Sequence, residues 1–254
     1  MSGARLCPTG LPPAMQTVPA AGDADCYAKP CRPHASACPT GGACNSPGMG
    51  SELNLENSSI TAAQLAELLG SGTPVKVVDA SWYLPAPKPE GREGSTTPGE
   101  GSTALLDYRD ERIPGALFFD HDDVSDLSSA LPQATPTAQR FGICVGELGI
   151  SRNDRVVVYE NSVFYESAPR AWFLFKLFGH ADVKVLEGGL PAWRAEGQRM
   201  ENGPPPPPVP VEYEGAAEVP GFQIDVSQVV DNLRLQRVQV VDCRGPAHFA
   251  GTAK

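Results

Sequence analysis

Apolar and polar positions along this chain fall into a pattern that occurs twice. Near its start the order is Ile60-Thr61-Ala62-Ala63-Gln64-Leu65, then Leu68-Leu69, then Val75-Lys76-Val77-Val78-Asp79. Near its end it is Ile224-Asp225-Val226-Ser227-Gln228-Val229, then Leu233, then Val238-Gln239-Val240-Val241-Asp242. Thr61 or Asp225 stands where a helix N-cap belongs, Gln64 or Gln228 closes a capping box, and Ile60/Leu65 or Ile224/Val229 forms the apolar staple around it. A β-branched strand ending in Asp follows each short helix. Cap, staple, strand and terminal Asp in one order make duplication the better reading than coincidence.

Between the copies, strands and helices alternate. A Gly/Pro/Ser-rich insertion from Pro85 to Thr103 precedes a turn at Ile113-Pro114-Gly115 and an apolar run from Ala116 to Phe119. The spacing predicts a helix from about Ala138 to Leu148, with Phe141, Val145 and Leu148 on one face and Gly149 as its left-handed stop. A buried strand from Arg155 to Tyr159 follows. Ser167 is then expected to cap a helix with Pro169 in its first turn, Trp172, Phe175 and Phe178 facing the core, and Gly179 at its end. A strand at Val183–Leu186 and a helix at Leu190–Glu196 complete the series. The fold class is therefore α/β, a parallel sheet with helices on both faces.

Composition sets the boundaries. Of the 26 prolines in 254 residues, eight precede residue 51 and eight lie from Pro204 onward. Residues 1–58 accordingly read as a disordered Pro/Cys-rich extension or targeting segment, 59–202 as one complete unit, 203–221 as a stiff Pro-rich linker, and 222–254 as the incomplete start of a second unit. A lone helix and strand cannot build a core, so protease sensitivity is expected from about Gly203. A net charge of −10 opposes contact with phosphate backbones or anionic lipid, which excludes nucleic-acid and membrane partners.

Five of the seven cysteines, Cys7, Cys26, Cys31, Cys38 and Cys44, lie in the extension. Their spacings match no zinc pattern, and an odd count without a secretory signal favours a reducing, intracellular compartment, mitochondrial or cytoplasmic. Cys26 and Arg32 satisfy the C-x5-R phosphatase spacing, but no apolar strand or helix start flanks them. Cys144 reads as a packing residue and Cys243 as a small residue at a strand end.

Several stretches together resemble the tandem-rhodanese sulfurtransferases, the thiosulfate and 3-mercaptopyruvate sulfurtransferases. They are Val77 to Pro85, Arg112-Ile113-Pro114-Gly115-Ala116, Val157-Val158-Tyr159, Ser167 to Trp172, Phe178-Gly179-His180 and Leu186 to Trp193. The resemblance spans about Ile60 to Thr252. It implies two rhodanese-like domains, the first silent and the second carrying a nucleophilic cysteine on a strand-to-helix loop, with no cofactor and no metal. Thiolate chemistry needs electropositive loop amides around that cysteine. The corresponding loop of the first unit, Glu160-Asn161-Ser162-Val163-Phe164-Tyr165-Glu166-Ser167, has no cysteine, and its two carboxylates oppose a thiolate. The nucleophile is therefore expected after Lys254, and the chain alone is expected to be inactive.

The resemblance further implies a persulfide that carries sulfur from a small sulfur-containing anion to cyanide or to a thiol acceptor such as thioredoxin or glutathione, in a monomeric enzyme. Trp82, Phe164 and Tyr165 map onto aromatics that wall the second domain's site, with core packing as the alternative. Arg244 and His248 fall in the motif that binds the anionic donor, His248 standing where the family has an Arg, which weakens anion binding near neutral pH. Arg244 is equally readable as the ion-pair partner of an Asp. His180 reads as a charged partner of a helix C-terminus. From a different class, a cysteine-free binding or regulatory module is the alternative for the chain as a whole.

Overall fold

A computed structural model describes residues 58–83, 103–161 and 166–252 of the chain. Five parallel strands form one sheet: β1 (Ser59–Ile60), β2 (Lys76–Asp79), β3 (Leu117–Phe118), β4 (Val156–Tyr159) and β5 (Val183–Leu186), in the order β1-β5-β4-β2-β3. The helices connecting them are α1 (Ala62–Gly70), α2 (Thr103–Asp110), α3 (Ala138–Glu147), α4 (Ser167–Leu177) and α5 (Gly189–Ala195). The middle strand β4, Val-Val-Val-Tyr, is buried along its whole length because both its faces are covered. Val78, Val156 and Val158 enter the core under α3 and α4, while Val77, Val157 and Tyr159 enter the one under α1, α2 and α5. Successive residues point to opposite sides of a strand, so each contributes to both cores.

Helix α1 carries the expected capping box: Thr61 Oγ1 accepts the Gln64 N–H, and Gln64 Oε1 accepts the Thr61 N–H. Helices α3 and α4 both end in a left-handed glycine, Gly149 and Gly179, and the next N–H reaches back, Ile150 to the Val145 carbonyl and His180 to that of Phe175. Helix α2 lies where the sequence pattern shows only the end of an insertion. Its signal is the pair Ala104 and Tyr108, four residues apart and both buried.

Four expectations need correction. Ser167 does not cap α4; Glu166 holds that position, and the Ser167 hydroxyl donates instead to the Glu160 carboxylate at 2.8 Å. His180 is no charged dipole partner. It is buried, its Nε2–H facing the Asp154 carbonyl at 2.8 Å and its Nδ1 facing the Tyr213 hydroxyl at 2.9 Å, and burial pushes its pKa down. The segment after Pro208 is also more than a spacer. From Val209 to Phe222 it forms a strap: the Val211 N–H donates to the Gly146 carbonyl, the Tyr213 ring packs against Phe141, and the Val219 N–H donates to the Leu177 carbonyl.

Past the strap, α6 (Val226–Leu235) repeats the capping box of α1 through Asp225 and Gln228, and a one-turn helix, α7 (Pro246–Phe249), follows. The second strand expected at Val238–Asp242 does not form. Parallel strands exist only in pairs, and no partner lies beside this one among the described residues; Val241 is 76% exposed and Val226 on α6 is 80% exposed.

Candidate functional site

In a parallel sheet the loops that leave the C-terminal ends of the strands gather at one edge, where ligands bind. Here those ends are Asp79 on β2 and Tyr159 on β4, cross-strand neighbours in register. Asp79 is 1% exposed, and its carboxylate accepts the Ser81 N–H at 2.9 Å and faces the hydroxyls of Ser81 and Tyr159. Burial pushes its pKa up to about 6, and those contacts restrain the rise. Each hydroxyl is held in turn: Ser81 Oγ accepts the Asn161 N–H at 2.8 Å, and Tyr159 Oη accepts the Ile113 N–H at 3.3 Å. The Tyr83 hydroxyl faces Asp107 of α2 and the Asn161 side chain. Burial, then Asp107, pushes the Tyr83 pKa up.

The loop after β4 leads into α4. Its carboxylate Glu160 is buried against the helix start, accepting from the Ser167 N–H at 3.4 Å, the Ser167 hydroxyl at 2.8 Å and the Ala168 N–H at 3.3 Å. A helix N-terminus favours an anion there, and in this unit the chain's own carboxylate occupies the position. The Glu160 carbonyl accepts the Leu190 N–H at 2.9 Å. The approach is so close that a Cβ on Gly189 would fall 2.2 Å from that oxygen, so only glycine fits there. Nearby, His121 is buried with Nε2 facing the Ala80 carbonyl at 3.0 Å, and burial pushes its pKa down to about 4.

Of the residues singled out from the sequence, Trp82 stands half-buried beside this web, between Ser81 and Tyr83. Phe164 and Tyr165 lie outside the described residues. Arg244 and His248 lie on the exposed tail. Arg244 turns back on Asp242, Nε at 2.9 and 3.1 Å and Nη2 at 2.6 Å from its oxygens, and this holds the Asp242 pKa down at about 2. Asp242 also accepts the Arg244 N–H at 3.0 Å, the same turn that Asp79 makes with Ser81. His248 sits on α7.

In the sequence Asp79 is marked only as the end of a repeated strand; apart from its turn with Ser81, the web of Asn161, Tyr159 and Tyr83 has no local signal, because those links cross between elements. Cys144 is buried, as a packing residue should be, and Cys243 is exposed. Among the described residues no group of three or more His, Cys, Asp or Glu could hold a metal ion, and no helix is long and apolar enough to cross a membrane.

Comparison with known proteins places this geometry. The Rhodanese-like domain profile matches residues 61–196. The chain is 35% identical over 191 residues to a probable 3-mercaptopyruvate sulfurtransferase of Schizosaccharomyces pombe, covering 74% of this chain and 59% of that protein. It is 34% identical over 199 residues to the thiosulfate sulfurtransferase of Mus musculus, covering 76% and 61%. The crystal structure of SseA from Escherichia coli, a 3-mercaptopyruvate sulfotransferase, superposes with a TM-score of 0.62 at 29% identity, covering 76% of this chain and 68% of that one. The chain thus spans about three fifths of the length of these curated relatives. With profile, sequence and fold in agreement, this chain belongs to the rhodanese-like domain family.

Proposed function

We propose that this chain carries the non-nucleophilic unit of a sulfurtransferase that takes sulfane sulfur from thiosulfate or 3-mercaptopyruvate. The observation that carries this reading is the Glu160 carboxylate seated on the Ser167 and Ala168 amides, where a nucleophilic loop would need room for a thiolate or persulfide anion. No residue from Glu160 to Ser167 is a cysteine. The unit then serves as a wall, presenting Trp82 and, in the loop outside the described residues, Phe164 and Tyr165 to a site completed by the second copy.

The chemistry assigned to that copy is nucleophilic. A cysteine thiolate attacks the outer sulfur of thiosulfate, the S–S bond breaks with its electron pair leaving on sulfite, and a cysteine persulfide remains. Cyanide or an acceptor thiol, thioredoxin or glutathione in kind, then attacks the outer sulfur and frees the thiolate. Arg244 and His248 are assigned to the anionic donor, an assignment that requires Arg244 to leave its bond with Asp242. The nucleophile is assigned to the strand-to-helix loop of that second copy, since the corresponding loop here, Glu160 to Ser167, has no cysteine.

Thiocyanate release from thiosulfate and cyanide tests this. The 254-residue chain should give none above background, and the same chain extended through a complete second unit should turn over until its loop cysteine is changed to Ser. Turnover by the 254-residue chain itself would sink the proposal. Inactivity of the extended chain would favour the binding-module alternative.

A further inference from the structure

We propose that Asp79 is the positioning residue of this site, a buried clamp that holds the loop after β2 against the loop after β4 and against the approach to β3. Two relays converge on its carboxylate. In one, the Asn161 N–H donates to Ser81 Oγ at 2.8 Å, which leaves the hydroxyl proton to point at the facing Asp79 carboxylate. In the other, the Ile113 N–H donates to Tyr159 Oη at 3.3 Å, which leaves that hydroxyl proton to point at Asp79 from the neighbouring strand. A hydroxyl that accepts from a backbone N–H has its own proton free to donate onward, so one carboxylate orients both hydroxyls and, through them, two loop amides. The Ser81 N–H, taken directly at 2.9 Å, fixes the turn from which Trp82 and Tyr83 leave.

The residue type matters. A carboxylate accepts at both oxygens, whereas an amide offers one acceptor and turns a donor toward the other hydroxyl. Keeping a carboxylate at this depth is costly, and proteins retain such groups where position outweighs stability. The charged and titratable groups facing it are Asp107 and Tyr108 of α2, Tyr159 of β4 and Tyr83 of its own loop. Asp107 adds like charge, and burial is the larger cause of the raised pKa. The Ser81 and Tyr159 contacts favour the charged carboxylate, so protonation loosens the clamp even as it relieves the cost of burying the charge.

That these loops wall a sulfur-transfer site rests on the reading above; the clamp itself does not, and it can be read without any activity. The measurement is hydrogen exchange at the Asn161 and Ile113 amides of the 254-residue chain, as protection factors corrected for the intrinsic pH dependence of exchange. In the unaltered chain, protection at both amides should fall through a step centred near pH 6, following the Asp79 pKa. Asp79→Asn should speed exchange at both about tenfold at pH 7.5, the loss expected for one hydrogen bond, and should abolish the step. Ser81→Ala should loosen Asn161 alone, and Tyr159→Phe should loosen Ile113 alone. Unchanged protection in Asp79→Asn, or single-arm variants that loosen both amides alike, would overturn the clamp. If Asp79→Asn does not fold, the two single-arm variants still decide between these outcomes. A merely structural Asp79 would lower global stability without separating the arms or producing a step near pH 6.

Discussion

The strap makes an uncommon demand on α3, and two glycine substitutions in that helix should have opposite signs. Gly142 and Gly146 lie one turn apart beneath the strap. A Cβ added at Gly146 falls 2.5 Å from the Val211 carbonyl oxygen, where ordinary contact begins at 3.4 Å, and the obstacle is backbone. The strap must retreat by about 0.9 Å to restore contact, which stretches the 2.9 Å hydrogen bond from the Val211 N–H to the Gly146 carbonyl. Overpacking of this kind costs about 1–3 kcal/mol, against about 1 kcal/mol gained from helix propensity. Release of the whole strap sets the ceiling: the Tyr213 ring, stacked on His180 at 5.9 Å and edge-on to Phe141 at 5.6 Å, would be lost at about 3–5 kcal/mol. Gly146→Ala should therefore destabilise by up to about 2 kcal/mol, lowering Tm by up to about 8 °C, and should admit protease between residues 209 and 222. At Gly142 the same Cβ meets Ala216 Cβ at 3.4 Å and the Tyr213 carbonyl oxygen at 3.5 Å, which are tolerable contacts. Gly142→Ala should keep the propensity gain and raise Tm by about 1–4 °C. Thermal unfolding followed by circular dichroism, with limited proteolysis of each variant, measures both. A Gly146→Ala Tm at or above that of the unaltered chain, or two variants that move together, would refute the strap argument.

Acid stability should expose two opposing buried groups. His121, pushed down to about 4, binds fewer protons folded than unfolded, so its contribution is lost as pH falls from about 6.5 to 4; Asp79, raised to about 6, binds more, so its contribution grows as pH falls over about 6 to 4. Each amounts to about 3 kcal/mol in order of magnitude, so the unaltered chain should change little from these two, while Asp79→Asn should lose stability steeply below pH 6.5 in urea titrations. Equal acid slopes for the two proteins would contradict this. Glu201→Gln should cost about 2–4 kcal/mol, because it strips the counter-charge from the buried Arg112 guanidinium, whose Nη2 lies 2.5 Å from Glu201 Oε1. Hydrogen bonding from the Gly115 N–H, then from Arg112, holds the Glu201 pKa down, so this contribution is present above the ordinary carboxylate range and is lost as pH falls below it. A denaturant midpoint for Glu201→Gln within error of the parent's at pH 7, or the same gap at pH 3, would rule that account out.

What the sequence made legible depended on whether the cause was local. The capping boxes at Thr61 and Asp225, the glycine stops at Gly149 and Gly179, and the Val-rich strands β2, β4 and β5 are each decided by residues within a few positions of one another, and each stands where the pattern put it. Errors came where a distant segment decided. Ser167 is a strong N-cap residue by type, but Glu160, seven positions back, already supplies the acceptor that the first turn of α4 needs, and the serine becomes a donor to it. His180 follows a helix stop, which suggests a charged partner for the carbonyls; Tyr213, thirty-three residues on, buries it and takes its Nδ1. Gly142 and Gly146 inside α3, poor helix formers by type, are the floor of the strap, which nothing local to α3 signals.

The same division separates the two similar runs that end at Asp79 and Asp242. Asp79 and Asp242 end equivalent runs and make the same turn with the second residue onward, so local sequence determines that much in both. Their surroundings then drive them apart: Asp79, enclosed by β4 and α2, is pushed up to about 6, and Asp242, exposed and paired with Arg244, is held at about 2. One carboxylate in one turn becomes a buried positioning group or a solvated ion-pair partner according to whether a sheet closes around it. Val238 to Val241 have the strand propensity of Val75 to Val78 and, among the described residues, no neighbouring strand, and propensity alone does not make a strand of them. Enclosure of that segment by further strands should therefore be the step that both orders it and raises the Asp242 pKa, converting the second Asp into the counterpart of the first.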